Sequence, residues 1–344
     1  MIGIYHSKDL DGIASGAIIK HKYPDAIMIG YDYGQPYDHI LEAVKDEDVI
    51  MADISLPMDV MAKICWLSNR KGFVWIDHHI SAIKDYHKYM NDCEAECVES
   101  DLNCEAVLED GIAACEATWK YLFPDDSDPI PLAIKFLSEY DTWKNSNKDH
   151  WENTVLPFQF GMRLHCNSVD SFPKHLFCYS EVKFEDYLDI VNEGETVLKY
   201  QAQVNERQCK SVFGRFMHDE NLSAICINGG GFNSDVFKSI YDKDKYDIMV
   251  CFQYTGEHWV ISLYTTKDNI DCSVIAKSYG GGGHKKAAGF VSTTLPYWIE
   301  PQSRCEYTGE EIVEDECLDP EDCTCTKTIQ RKEMGVGSGC MQRV

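Results

Sequence analysis

The sequence predicts an α/β protein, in which a parallel sheet covered by helices is joined through a helical linker to a smaller α/β domain. Three observations carry this expectation. The first 80 residues alternate short apolar runs with stretches of helical spacing. A segment from Phe184 to Cys209 has no proline and only Gly194 as a glycine, as a long connecting helix would. Beyond it apolar runs resume and end before Pro296.

Taken in order, Ile2–Tyr5, Ala26–Tyr31, Val49–Ala52 and Phe73–Ile76 read as buried strands, and Asp11–Lys22 and Met58–Asn69 as the helices between them. In such sheets, polar residues just after the strands gather at one edge, where ligands bind. Asn91–Asp110 has eight acidic residues, no Lys or Arg and three cysteines, and is expected to be a loop. Helices follow at Gly111–Leu122 and Leu132–Tyr140. In the second domain, Ala224–Ile227, Ile248–Phe252 and Trp259–Tyr264 read as strands, with Phe290-Val291 closing it. The expected boundaries are 1–182 for the first domain, 183–212 for the linker, 213–298 for the second domain and 299–344 for an acidic, cysteine-containing tail.

Composition narrows the function. The chain has 344 residues, 32 Lys+Arg against 57 Asp+Glu and a formal charge of −25. A clamp on long duplex nucleic acid needs a basic surface, so that class is excluded. The N-terminus lacks a basic segment followed by an apolar run, and no 18 uninterrupted apolar residues occur, so a cytoplasmic protein with no membrane partner is expected. The 16 cysteines are then expected to be reduced, with Cys65, Cys226 and Cys251 as small core residues.

Four segments place His and Asp where the predicted elements end: His6-Ser-Lys-Asp9-Leu-Asp11-Gly12, Asp53, Asp77-His78-His79, and Asp141. Each has a plain alternative, since Asp11 or Asp53 could cap a helix and a lone His is commonly structural. Together they are the inventory of a two-metal site of carboxylates and imidazoles. Such ligands suit Mn²⁺ or Mg²⁺, with Co²⁺, Zn²⁺ or Fe²⁺ also compatible. Two ions sharing a carboxylate and a water can activate that water and stabilise both oxygens of an in-line displacement at phosphorus. A second feature is Gly280-Gly-Gly-Gly-His284-Lys-Lys-Ala-Ala-Gly289. Consecutive glycines let backbone N–H groups approach a phosphate, while His284 can donate a hydrogen bond or a proton and Lys285 or Lys286 can add charge. The plain alternative is a flexible turn.

In these motifs the chain resembles the DHH phosphoesterase superfamily, over roughly residues 1–295. Asp77-His78-His79, preceded by His6…Asp9-Leu-Asp11-Gly12 and Asp53 and followed by Asp141, is similar to its four motifs, and Gly280–Phe290 to the GGGH…AAG signature of its associated C-terminal domain. The resemblance implies that His6 and Asp9 bind one metal and Asp11, His78 and Asp141 the other. Asp53 would bridge the two, and a metal-bridging hydroxide would attack. It further implies that Asp77 orients a ligand histidine and that His79 contacts the scissile phosphate or leaving oxygen. Gly281, Gly282, Gly283, His284 and Lys285 would grip the end of a short substrate. One departure is that only Ser7 and Lys8 separate His6 from Asp9, where many members have three residues. Another is that no arginine stands in Ser262–Lys267, where some members hold a terminal phosphate, which leaves Lys267 or Tyr264 for that role.

Among the family's substrates, short oligonucleotides of about two to five units, released as 5′-mononucleotides in the nanoRNase manner, suit a chain too short and too acidic for added nucleic-acid modules. Tyr33, Tyr37, Trp143 and Tyr279 are available to stack bases. Cyclic or linear dinucleotides of signalling are the alternative, ahead of a RecJ-like single-strand exonuclease, a pyrophosphatase or an inactive scaffold. A homodimer is also compatible. Cys305, Cys317, Cys323, Cys325 and Cys340 could hold a structural Zn²⁺, although their spacing does not match paired C-x-x-C hooks. The charge is uneven: Asn91–Asp110 contributes −8, and residues 300–344, with 11 acidic and 5 basic groups, contribute −6. The acidic balance therefore argues against long nucleic acids on the outer surface while leaving a metal-charged cleft suited to short ones.

Overall fold

A computed structural model describes residues 1–68, 72–96, 102, 104–125, 129–177, 183–217 and 220–299. The tail cysteines on which the zinc expectation rests lie outside the described residues. The chain divides into two compact units, Met1–Gln201 and Ala202–Val344.

In the first unit the elements run β1 (Ile2–His6), α1 (Leu10–Lys22), β2 (Ile27–Tyr31), α2 (Asp38–Ala43), β3 (Val49–Ala52), α3 (Met58–Leu67), β4 (Phe73–Asp77), α4 (Ile80–Ala95) and β5 (Glu105–Leu108). Then come α5 (Ala114–Leu122), α6 (Leu132–Asp141), α7 (Lys148–His150), a π-helical turn, α8 (Leu156–His165) and α9 (Phe184–Gln208), whose last residues belong to the second unit. All five strands are parallel, in the order β2-β1-β3-β4-β5. The order reverses between β1 and β3, and in open parallel sheets the crevice beyond the strand ends at such a point is where ligands bind.

The sheet is buried on both faces, which is why its strands read as continuous apolar runs. Alternate residues of β3 show this: Val49 and Met51 join a core with Ile2, Ile4, Phe73 and Trp75, whereas Ile50 and Ala52 face α1, α5 and α6. Helix α1 is almost wholly enclosed, from Leu10 to Ile19. Its first turn lies so close to the end of β1 that a Cβ on Gly12 would come within 2.1 Å of the His6 carbonyl oxygen. That glycine is what lets Asp9 and Asp11 reach the strand end.

Two sequence expectations change here. Asn91–Asp110 is not a single loop, because α4 extends to Ala95 and Glu105–Leu108 pairs with β4 as an edge strand. Its partial exposure and acidic flanks left no apolar run to read. The strand at Phe213–Met217, interrupted in sequence by Gly214 and Arg215, was likewise not expected.

In the second unit, β6 (Phe213–Met217), β7 (Leu222–Asn228), β8 (Ile248–Tyr254), β9 (Trp259–Tyr264), α10 (Cys272–Ser278), β10 (Gly282–Gly283) and β11 (Ala287–Ser292) form one mixed sheet with its helix. The strand order is β10-β11-β9-β8-β7-β6, antiparallel except for β7 with β8. The described cysteines are free, and Cys65, Cys115, Cys166, Cys226, Cys251 and Cys272 are buried. Burial pushes the Cys226 and Cys251 thiols up to about 12. Among the described residues no helix is long and apolar enough to cross a membrane.

Candidate metal centre

The ends of β1, β3 and β4 bring His6, Asp53 and Asp77 to the point where strand order reverses. His6 Nδ1 lies 2.9 Å from Asp9 Oδ2 and 3.6 Å from Asp53 Oδ2. His78 Nε2 lies 3.5 Å from Asp11, 3.4 Å from Asp53 and 3.3 Å from Asp141. Possible ligand atoms lie within 4.8 Å of one another in three groups: His6, Asp9 and Asp53; Asp53, His78 and His79; and Asp11, His78 and Asp141. All six sequence-predicted ligands are thus brought together, with Asp53 shared between neighbouring groups.

Asp53 is the most telling member. It is 1% exposed, and neither carboxylate oxygen accepts a hydrogen bond among the described residues. Its backbone sits at φ 60°, in the left-handed region where non-glycine residues are uncommon and strain clusters at functional sites. His6 Nδ1 is also buried without a hydrogen bond despite its short distance to Asp9. Close approach without hydrogen-bond alignment is what side chains do when they converge on a common point rather than on each other. A buried carboxylate with no donor is costly unless a cation compensates it, so the residues present fit divalent ions with oxygen and nitrogen ligands.

Electrostatics agree. Burial, then the neighbouring Asp53, raises Asp11 to about 7; burial, then Asp11, does the same to Asp141. Burial also raises Asp53. Burial works against charge on His6 and His78, but the surrounding carboxylates outweigh it and lift both to about 10. Crowded negative charge is holding protons, and a divalent ion reverses that logic.

The remaining residues have distinct jobs. Asp77, fully buried, accepts from the His78 and His79 backbone N–H groups at 2.8 and 3.0 Å and from His79 Nδ1 at 2.8 Å. It therefore shapes the turn that carries both histidines. Asp9 caps α1, accepting from Gly12 N at 3.0 Å. Asp11 accepts from Ala114 N at 2.9 Å and Cys115 N at 2.8 Å, at the start of α5. The plain helix-cap alternative thus holds for Asp11 too, on a helix about a hundred residues away in sequence. Asp32, 3.5 Å from His6 Nε2, was missed. It directly follows β2, so the rule that selected Asp53 would have selected it.

The glycine motif belongs to the second unit. The Gly280 N–H bonds to Lys277 O at 3.0 Å and the Gly281 N–H to Ala276 O at 2.8 Å, with Gly280 at φ 80°, a Schellman closure of α10. The Gly281 N–H is therefore spent within the fold and does not reach a phosphate, a correction to its expected role. His284 and Ala287 exchange backbone hydrogen bonds around Lys285-Lys286, so ladder alternation along edge strand β10 turns the Gly283 N–H away from β11. Gly283, His284 and Lys285 are exposed. Two other expectations change. Lys267 Nζ is held by Asp247 Oδ1 at 2.6 Å, which takes its charge. Tyr279 stacks on Phe290 at 4.4 Å and accepts from Trp298 Nε1 at 3.1 Å, so it packs within the unit rather than standing as a base platform.

No family model matches the chain. It is 26% identical over 307 residues to the uncharacterized protein R106 of Acanthamoeba polyphaga mimivirus, covering 84% of this chain and 66% of that protein. The match thus spans slightly less than two thirds of the mimivirus protein. It is 23% identical over 321 residues to the oligoribonuclease NrnB of Bacillus subtilis, covering 86% of this chain and 74% of that one. Among solved structures, the DHH domain of a member of the S1p family of ribosomal proteins aligns at 15% identity and a TM-score of 0.49, covering 85% of this chain and 82% of that one.

Proposed function

From a chain whose motifs resemble those of the DHH phosphoesterases, we propose a divalent-metal-dependent phosphodiesterase that hydrolyses short oligonucleotides to 5′-mononucleotides. The observation that carries this reading is the pair of buried, unpartnered Asp53 oxygens, ringed by His6, His78 and His79. His6 and Asp9 would hold one ion and Asp11, His78 and Asp141 the other, with Asp53 between them. Bound there, two such ions supply an activated water and offset charge on the attacking and leaving oxygens. Mn²⁺ is the expected metal, with Mg²⁺ or Co²⁺ as substitutes.

The chain's own side chains do the rest. Asp77 fixes the His79 ring through Nδ1, so a proton for the leaving oxygen comes from the Nε2 edge, which Asp77 does not engage. His284 and Lys285, with the Gly283 N–H, are suited to hold a substrate phosphate. Trp143, two positions after Asp141, is 67% exposed and at φ 53°, and stacks at 5.7 Å on Trp151, which lies parallel to Tyr140. An indole presented in this way suits a nucleobase. Trp143→Ala is expected to raise KM for a dinucleotide about tenfold with little change in kcat, as loss of one base stack does; steady-state kinetics check it. The name of the Bacillus relative supports an oligoribonucleotide as the substrate.

The test is a panel of linear dinucleotides, cyclic dinucleotides, longer single strands and pyrophosphate at equal concentration with Mn²⁺, repeated after chelation. Mononucleotide release from linear dinucleotides, lost with EDTA and restored by Mn²⁺, is expected. Turnover of pyrophosphate with none of pApA overturns the reading.

A further inference from the structure

We propose that a cavity of about 260 Å³ in the first unit is a subsite for a terminal phosphate of the substrate, beside the metal centre. It is lined by Ser7, Lys8, Asp9, Arg163, Cys166 and Asn167, over an apolar floor of Leu10 and Ile13. The inference rests on the phosphodiesterase reading for its substrate and on separate residues for its site.

Three donor-bearing side chains line the cavity together with the Asp9 carboxylate. Arg163, near the end of α8, packs its guanidinium on the Phe160 ring at 4.7 Å and faces Tyr140 at 6.0 Å. These ring contacts orient the fork, and no described carboxylate lies within ion-pair distance of it. Its charge is open to a ligand, unlike that of Lys267, paired with Asp247, or Lys286, paired with Asp268. Lys8 is 64% exposed, and its Asp32 partner is 3.6 Å away. Asn167 lines the cavity, and its carbonyl accepts from Ser171 Oγ at 3.2 Å, which leaves the amide N–H₂ to donate. A planar guanidinium, an ammonium and an amide together match the oxygens of a phosphate monoester.

Placement specifies which phosphate. Asp9 lines this cavity and also lies 2.9 Å from His6 Nδ1, so one side chain separates it from the metal centre. A group bound here belongs to the same short substrate as the scissile phosphate. The cavity thus supplies, from the first unit, the terminal-phosphate contact that Lys267 cannot make with its charge committed to Asp247.

The experiment compares kcat/KM for pApA and for ApA, which lacks the 5′-phosphate, with Mn²⁺, in the wild type, Arg163→Gln, Arg163→Lys and Lys8→Gln. The wild type is expected to favour pApA by tenfold or more. Arg163→Gln should bring that ratio near one through KM for pApA, leaving kcat and the ApA values unchanged, and Arg163→Lys should retain part of it. A wild-type ratio near one, or a preference that survives both Arg163→Gln and Lys8→Gln, overturns the subsite. If the wild type turns over neither dinucleotide, the phosphodiesterase reading fails, and the subsite is read by calorimetric titration of inorganic phosphate onto the full-length protein in EDTA. Tenfold weaker binding by Arg163→Gln supports it there, and equal affinity overturns it.

Discussion

Asp53→Asn is expected to lower kcat/KM by about 10³-fold or more, roughly 4 kcal/mol of lost transition-state stabilisation, without unfolding the protein. Asparagine tolerates the left-handed φ of 60° at this position as well as aspartate does, so the turn after β3 is preserved. What disappears is the charge that two of the three ligand groups share. The stability readout should move the other way. The wild type buries a carboxylate with no donor to it, so the chelated variant is expected to melt at the same temperature as the chelated wild type or higher. Mn²⁺ should raise the melting temperature of the wild type by the linkage of binding to folding, about 2.7 kcal/mol at a hundredfold excess over Kd, and should raise that of the variant much less. Melting curves with and without Mn²⁺ measure both effects. A variant that keeps the wild-type Mn²⁺ shift would show that Asp53 is not a cation ligand.

Asp11→Asn is expected to behave differently although it removes a charge from the same cluster. Asp11 accepts two backbone N–H groups at the start of α5. An amide offers one acceptor in place of two, so one buried N–H loses its partner. The cost is about 2 kcal/mol, or roughly 4–8 °C for a unit of this size, and it should appear already in the chelated protein, with a smaller Mn²⁺ shift on top because a ligand is also lost. Asp141→Asn is the control, since the Asp141 carboxylate accepts no hydrogen bond among the described residues. It should lose activity while keeping the chelated melting temperature. If the two variants melt alike in EDTA, the capping role of Asp11 is wrong.

These contrasting outcomes for three carboxylates of one cluster could not have been separated by motif. Asp11, Asp53 and Asp141 look alike as acidic residues at the ends of predicted elements. Burial on both sides made β1, β3 and β4 readable as apolar runs, and the polar residue closing each run was readable with them. The exposed edge strand Glu105–Leu108 gave no such contrast, nor did Phe213–Met217. Asp32 was legible by the same rule and overlooked. For the glycine run, composition suggested a phosphate cradle, but two of its N–H groups close α10. Only three-dimensional bonding could show which N–H groups are already committed.

Local pattern was enough to determine the fold class, the strand ends that carry chemistry and the residue types gathered there, because strand burial and ligand chemistry are both written in residue order. Tertiary packing alone decided that Asp53 is left without a donor, that Asp11 caps a helix about a hundred residues away and that Arg163 lines one cavity with Asp9. Each of those facts depends on atoms distant in sequence coming within a few ångströms. No spacing rule along the chain encodes a distance of that kind.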